Sequence, residues 1–190
     1  MPALQPLAGG DGRHYGRLMT LKRSMPPAGS GDALLLILGS LPGEASLAAQ
    51  RYYAHPQNQF WRLLGHAIGE ELAGLPYDDR LARLAARRIA LWDVVGEARR
   101  LGSLDGSIRG ASANPLNAYI ATHPQLKAVA FNGKTAARLG RLALGAPIQI
   151  QLIDLPSSSP AYTLPFQEKA RAWVLLGALA CPAEVATLAP

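Results

Sequence analysis

The side chains in this sequence best suited to chemistry lie between Gly39 and Trp61, in GSLPGEASLAAQRYYAHPQNQFW. Asn58 carries a neutral amide that accepts from water and donates to a polar neighbour without titrating. It cannot act as a general base, so hydrolysis built on it must run through a dissociative transition state driven by positioning and electrostatics. Tyr53, and less so Tyr52, offers a ring face on which a planar ligand can stack. His55 is a donor to a base or a phosphate, and Ser40 lies in the turn that opens the stretch. Outside it, Asp93 ends the run Leu91-Trp92-Asp93, and an ionised carboxylate only accepts hydrogen bonds. Ser157, Ser158 and Ser159 stand between Pro156 and Pro160, where hydroxyls and backbone N–H groups suit phosphate oxygens. Lys134 follows Asn132-Gly133 but lacks the spacing of a Walker loop, so it is a cation near phosphate at most. Each residue also has an ordinary reading. Asn58 sits where a helix N-cap belongs, Tyr53 suits a core and His55 a loop brace. Asp93 suits an ion pair with Arg99, Arg100 or Arg109, and the serines a plain turn.

The elements that must hold these groups alternate between strand and helix. The apolar run Leu34–Leu38 predicts a strand over about 33–39, buried on both faces. Phe60, Leu63, Leu64, Ala67 and Ile68 recur as one helix face. The segment between them is long for a loop in a compact domain, and such loops are usually functional. It also sits at the carboxyl end of a strand and beside a helix amino terminus, where pockets form. Further along, a helix is expected over 78–87, a strand over Ile89–Val95, a loop from Gly102 to Ser112 and a helix over Pro115–Ala121. Strands Leu126–Phe131 and Ile148–Ile153 flank a helix over 134–143, and a last helix covers 165–180. Strands alternating with helices predict a parallel sheet covered on both faces. Gly and Pro mark residues 1–31 as a tail, with a single domain over 32–190.

The chain has 190 residues, one cysteine and a formal charge of +6. That length fits one domain, and the positive balance favours a polyanionic partner. No apolar run reaches the roughly 20 residues needed to span a bilayer, and the amino terminus lacks a signal core. A cytoplasmic monomer is therefore expected. Cys181 alone excludes an intrachain disulfide framework and a four-cysteine iron–sulfur site. His14, His55, His66 and His123 have no metal-ligand spacing, so neither metal nor cofactor is expected.

His55-Pro56-Gln57-Asn58-Gln59-Phe60-Trp61 resembles the HPxNxFW segment of mismatch-specific uracil/thymine glycosylases, and Gly39-Ser40-Leu41-Pro42-Gly43 resembles their GINPG turn. Leu41 falls where those enzymes carry a catalytic asparagine. With Leu91-Trp92-Asp93-Val94 and Pro156-Ser157-Ser158-Ser159-Pro160-Ala161, the set is similar to the hypoxanthine-DNA glycosylase branch of the uracil-DNA glycosylase superfamily. The motifs follow in order over roughly residues 34 to 180. The resemblance implies a three-layer α/β/α sandwich around a mainly parallel four-stranded sheet. It implies a monofunctional glycosylase of base excision repair that removes deaminated bases from DNA.

On that reading Asn58 orients the attacking water, displaced from the position Leu41 occupies. Tyr53 stacks on the extruded base, and Ser40 and Asn117 help to bind it. Asp93 accepts the N1–H of hypoxanthine and repels adenine, whose N1 is an acceptor. Ser157, Ser158, Ser159, His55 and Lys134 contact DNA, Asp105 is structural, and Tyr162 or Leu164 fills the vacated stack. Three alternatives stand beside it: a uracil or mismatch glycosylase of the same fold, a silent nucleic-acid-binding module, and a nucleotide-binding α/β protein.

Overall fold

The computed structural model describes residues 19–145 and 149–180. Its strands are β1 (Thr20–Arg23), β2 (Ala28–Gly29), β3 (Leu35–Gly39), β4 (Ile89–Asp93), β5 (Val95–Arg100), β6 (Arg109–Ala113), β7 (Ala128–Asn132) and β8 (Gln151–Leu155). Its helices are α1 (Glu44–Ala49), α2 (Phe60–Ile68), α3 (Tyr77–Ala86), α4 (Leu116–Ala121), α5 (Lys134–Leu144), α6 (Phe166–Trp173) and α7 (Leu176–Leu179).

The main sheet runs in the order β2-β4-β3-β7-β8. Its four long strands are parallel, as the sequence predicts, and β2 adds a short antiparallel edge. Every residue of β3, β4 and β7 is buried. That matches parallel strands covered on both faces, whose side chains have no wet side to alternate toward. The order reverses direction at β3, between the crossover to β4 and the crossover to β7. Two right-handed crossovers in opposite directions place their helices on opposite faces, so α2 and α3 cover one side and α4 and α5 the other. Packing of α2 on α6 and of α4 on α5 agrees with this. The reversal also opens a crevice at the carboxyl ends of β3, β4 and β7.

Several expectations change. Residues 20–31 are not tail. Met25 is buried, and its carbonyl accepts from the Trp92 indole at 3.0 Å and the Tyr52 hydroxyl at 3.2 Å. Buried donors must find acceptors, and this polar segment supplies them without any apolar pattern to announce it. Residues 1–18 and Cys181 lie outside the described residues. The single strand expected over Ile89–Val95 is two, β4 and β5. The stretch expected as loop contains β6, whose residues are all exposed. With β1 and β5 it forms a second, antiparallel sheet in the order β1-β5-β6. The long motif loop contains α1, the last helix breaks into α6 and α7, and the final strand, whose expected start at Ile148 lies outside the described residues, runs on to Leu155.

Candidate active site

A cavity of about 430 Å³ opens at the carboxyl ends of the central strands. One wall is the turn Gly39–Gly43. Ser40 Oγ donates to Asp105 at 2.7 Å. Leu41 turns into a small apolar cluster with Val95 and Ala98. Arg100, only 1 % exposed, donates to the carbonyls of Leu41 at 2.9 Å, of Gly102 at 3.0 Å, and of Pro42. Burial works against its charge, and the nearby Asp105 and Asp93 carboxyls hold it. The guanidinium thus pins the turn from beneath.

Asp93 forms the floor. Burial pushes its carboxyl up from 3.8 to about 7, opposed by the Ser24 hydroxyl, Tyr52 and the Arg100 charge, and assisted by Asp105. Its Oδ2 accepts from Ser24 Oγ at 3.3 Å, and its backbone carbonyl accepts from Asn114 Nδ2 at 2.9 Å. Asp105 is also raised by burial, with Ser40 and Arg100 acting against that. Beside Asp93 lies Tyr53. Its backbone is left-handed at φ 53°, which is rare for a bulky residue. Flanking bonds hold it there: Tyr52 N donates to Tyr77 Oη at 3.0 Å, and Ala54 N to Ser46 Oγ at 3.2 Å. The Tyr53 ring stacks on Phe60, with centroids 3.6 Å apart and planes 8° off parallel. Its hydroxyl is buried and has no hydrogen-bond partner among the described residues. Burial, then the Asp93 charge, raises this phenol above its ordinary value, so it remains a donor. A Cβ at Gly39 would stand 2.6 Å from Asp93 Oδ1 and 3.2 Å from the Tyr53 hydroxyl. The missing side chain therefore makes the space where these two polar atoms converge.

Asn58 lines the same cavity. Its Oδ1 accepts from Phe60 N at 2.9 Å, in an Asx turn one residue before the N-cap Gln59. That bond fixes the amide and, among the described residues, leaves one lone pair of Oδ1 unused. His55 is exposed at the rim, where its Nδ1 accepts from Gln57 N at 3.2 Å and braces the loop.

The opposite wall is the serine–proline turn. Asn132 Nδ2 donates to Ser158 Oγ at 2.8 Å, and Ser158 N donates to Asn132 Oδ1 at 2.8 Å. Ser158 is fully buried, and its carbonyl accepts from Gln59 N at 3.0 Å. It therefore ties the ends of β7 and α2 together and does not face outward as a phosphate ligand would. Ser157 and Ser159 lie half-buried on the cavity side. Gly133, at φ 101°, brings the backbone so close that a Cβ would sit 2.9 Å from Ser157 Cβ.

Of the residues singled out in the sequence, Ser40, Tyr53, His55, Asn58, Asp93 and Ser157–Ser159 all line this cavity. Asn117 and Lys134 do not. Asn117 is exposed on α4, where its Nδ2 donates to Leu144 O at 3.3 Å. The hairpin of β5 and β6 lengthens the path out of β4, so Asn114 rather than Asn117 reaches back to Asp93. Lys134 is exposed at the first turn of α5. Sequence reasoning missed Asn132, Ser24 and the clamp by Arg100. Asn132 reads as a strand terminator, Ser24 lies in the apparent tail, and a buried arginine leaves no local pattern.

The sequence profile of the uracil DNA glycosylase superfamily matches residues 26–180. A hypoxanthine DNA glycosylase of Methanosarcina acetivorans is 40% identical over 141 residues, 74% of this chain and 88% of the relative. One of Methanosarcina barkeri is 38% identical over 154 residues, 80% of this chain and 95% of the relative. Among solved structures, a Methanosarcina acetivorans protein determined by solution NMR as a candidate uracil DNA glycosylase superposes with a TM-score of 0.75 at 36% identity. That match covers 84% of this chain and 99% of the other.

Proposed function

This chain belongs to the uracil DNA glycosylase superfamily, and we propose that it hydrolyses the N-glycosidic bond of deaminated bases in DNA, hypoxanthine first. The observation that carries the base preference is a buried carboxyl, Asp93, on the floor of a nucleobase-scale cavity. The two named relatives agree with it.

Extruding the nucleotide costs a few kcal/mol. The cavity face of Tyr53, backed by Phe60, receives the base. Asp93, when ionised, accepts N1–H of hypoxanthine, and the Tyr53 hydroxyl is the donor at hand to hold it ionised. Adenine presents an acceptor at N1 and is repelled. The C1′–N9 bond then breaks, its electron pair leaving with the base. Asn58 accepts from a water through the second lone pair of Oδ1 and aims it at C1′, where it adds; the proton it sheds is taken up by the departing base anion, which leaves as neutral hypoxanthine. The amino end of α2, nine residues long, favours the negative charge developing nearby. Ser157, Ser159 and His55 at the rim meet the flanking phosphates. Among the described residues no lysine lines the cavity, so the proposed route uses water and no amine nucleophile, as a monofunctional glycosylase does. Among the described residues no group of three or more His, Cys, Asp or Glu side chains could hold a metal, and the route uses none.

The test is release of free base from duplexes carrying deoxyinosine, deoxyuridine or deoxyxanthosine, with chelator present. Hypoxanthine is expected as the fastest product, with an alkali-labile abasic site left behind. Faster release of uracil would assign the chain to the uracil or mismatch activity of the same fold. No release from any strand would leave only a binding module.

A further inference from the structure

Asp93 is buried, and it is held from a side that the motif loop does not supply. Ser24 lies in the connection between β1 and β2, just ahead of residues 26–180 that the superfamily profile spans. Its Oγ stands 3.3 Å from Asp93 Oδ2 and 3.0 Å from the Met25 carbonyl oxygen. A hydroxyl carries one proton and donates to only one of the two at a time. The next hydroxyl faces a similar choice. Tyr52 Oη stands 3.2 Å from Met25 O and 3.1 Å from Pro26 O, and burial keeps this phenol protonated. Met25 O also accepts from the Trp92 indole at 3.0 Å, which leaves one lone pair for either hydroxyl. Asp93, Ser24, Met25, Tyr52 and Pro26 thus form one chain of donors and acceptors. The other titratable groups that face Asp93 are Tyr53 on the motif loop, Arg100 on β5 and Asp105 beyond it. Arg100 favours the ionised carboxyl and Asp105 opposes it.

This chain closes in two ways without moving a heavy atom. With Asp93 ionised, Ser24 donates to Oδ2 and Tyr52 to Met25 O. The carbonyl left over belongs to Pro26, which is exposed. With Asp93 protonated, its Oδ2–H donates to Ser24 Oγ, Ser24 donates to Met25 O and Tyr52 to Pro26 O. Neither form strands a buried donor. Occupying Oδ2 also leaves Oδ1, which lies on the Gly39 side with the Tyr53 hydroxyl, free to meet the base. Resting on the base-excision reading above, we propose that Ser24 is a positioning residue. By donating to Oδ2 it favours the ionised carboxyl and presents Oδ1 to the base. By swinging its hydroxyl to Met25 O it receives the neutral acid in the same place. A hydrogen bond to the charged form favours that form, so Ser24 sets the pH at which Asp93 becomes an acceptor.

The readout is the pH profile of single-turnover excision of deoxyinosine from duplex DNA at saturating enzyme. Wild type, Ser24→Ala, Ser24→Thr and Asp93→Asn are compared, each with a melting curve. The wild-type rate is expected to rise as Asp93 ionises. Ser24→Ala removes a donor to the ionised form, so its midpoint should move up by about one pH unit. Its rate should be about tenfold below wild type on the acid side and come within about threefold well above the midpoint. Ser24→Thr keeps the hydroxyl and should restore the wild-type midpoint. Should Ser24→Ala fail to fold, Ser24→Cys, whose thiol is a weak donor, should displace the midpoint in the same direction. A merely structural serine would lower the rate by one factor at every pH. An unmoved midpoint in Ser24→Ala therefore overturns the proposal, and so does a Ser24→Thr midpoint that follows Ser24→Ala. A rise that persists in Asp93→Asn overturns the role of Asp93 and that of Ser24 with it. Wild type that releases no base at any pH overturns the base-excision reading itself.

Discussion

The two ends of the loop that follows β3 are built in opposite ways. In the turn Gly39–Gly43 the polar capacity is committed: Ser40 to Asp105, and the Leu41 and Pro42 carbonyls to Arg100. In Tyr53–Asn58 capacity remains. The Tyr53 hydroxyl has no partner among the described residues, and the Asn58 amide keeps a lone pair beyond its bond to Phe60 N. A buried polar group without a partner in the fold calls for an explanation, and a ligand is one. On the proposed reading the first end is scaffold and the second carries the chemistry. Leu41, packed on Val95 and Ala98, is consistent with an asparagine's task being carried further along the same loop.

The sharpest break in this contrast should come from Arg100→Leu. It strips the carbonyls of Leu41, Pro42 and Gly102 of their donor and leaves Asp93 and Asp105 without a buried cation. Breaking such a set is expected to cost about 3–5 kcal/mol, read as a drop in the urea midpoint. Next is Asp93→Ala. Leaving the N1–H of the bound base unpaired costs about 1–3 kcal/mol, a loss of roughly tenfold to a hundredfold in single-turnover excision of hypoxanthine. Asp93→Asn should lose less than Asp93→Ala, and the ratio of hypoxanthine to uracil release should shift in both. An unchanged ratio would make Asp93 purely structural.

The same carboxyl also sets a pH dependence. A carboxyl raised from 3.8 to about 7 by burial stabilises the folded state while protonated. That contribution is present below 3.8 and is lost as pH rises through about 7. Melting temperature should therefore decline across this window in wild type and decline less in Asp93→Asn. Excision of hypoxanthine should rise through about pH 7 as the accepting form appears, and that rise should vanish in Asp93→Asn.

Much of this was readable in the residues. Parallel buried strands announce themselves as unbroken apolar runs, and Leu35–Gly39 and Ile89–Asp93 did so. The motif loop revealed its position because strand, loop and helix adjoin in sequence. Less readable were features that depend on contacts between distant segments. Thr20–Arg23 is polar and gains its place only by pairing with β5. Arg109–Ala113 is exposed throughout, so no period of two marks it as a strand. Asn132 and Ser158 are 26 residues apart, and either one alone looks like a turn residue. Asn117 was misplaced because the hairpin ahead of it was invisible. Ser158 looked like its neighbours, and only its burial separates it from Ser157 and Ser159.

The claim that chemistry sits at the Asn58 end of the loop, and not at the Leu41 end, is tested by one paired measurement. Asn58→Ala and Leu41→Ala are compared with wild type in single-turnover excision of deoxyinosine from duplex DNA, each with a denaturation curve. Asn58→Ala should lose about a hundredfold or more in rate, roughly 2.7 kcal/mol of barrier. Its stability should fall only by the about 0.5–2 kcal/mol of a lost cap-like bond. Leu41→Ala should give up about 2–5 kcal/mol of stability and, while folded, keep most of its rate. A folded Asn58→Ala protein that excises hypoxanthine at the wild-type rate would contradict the account.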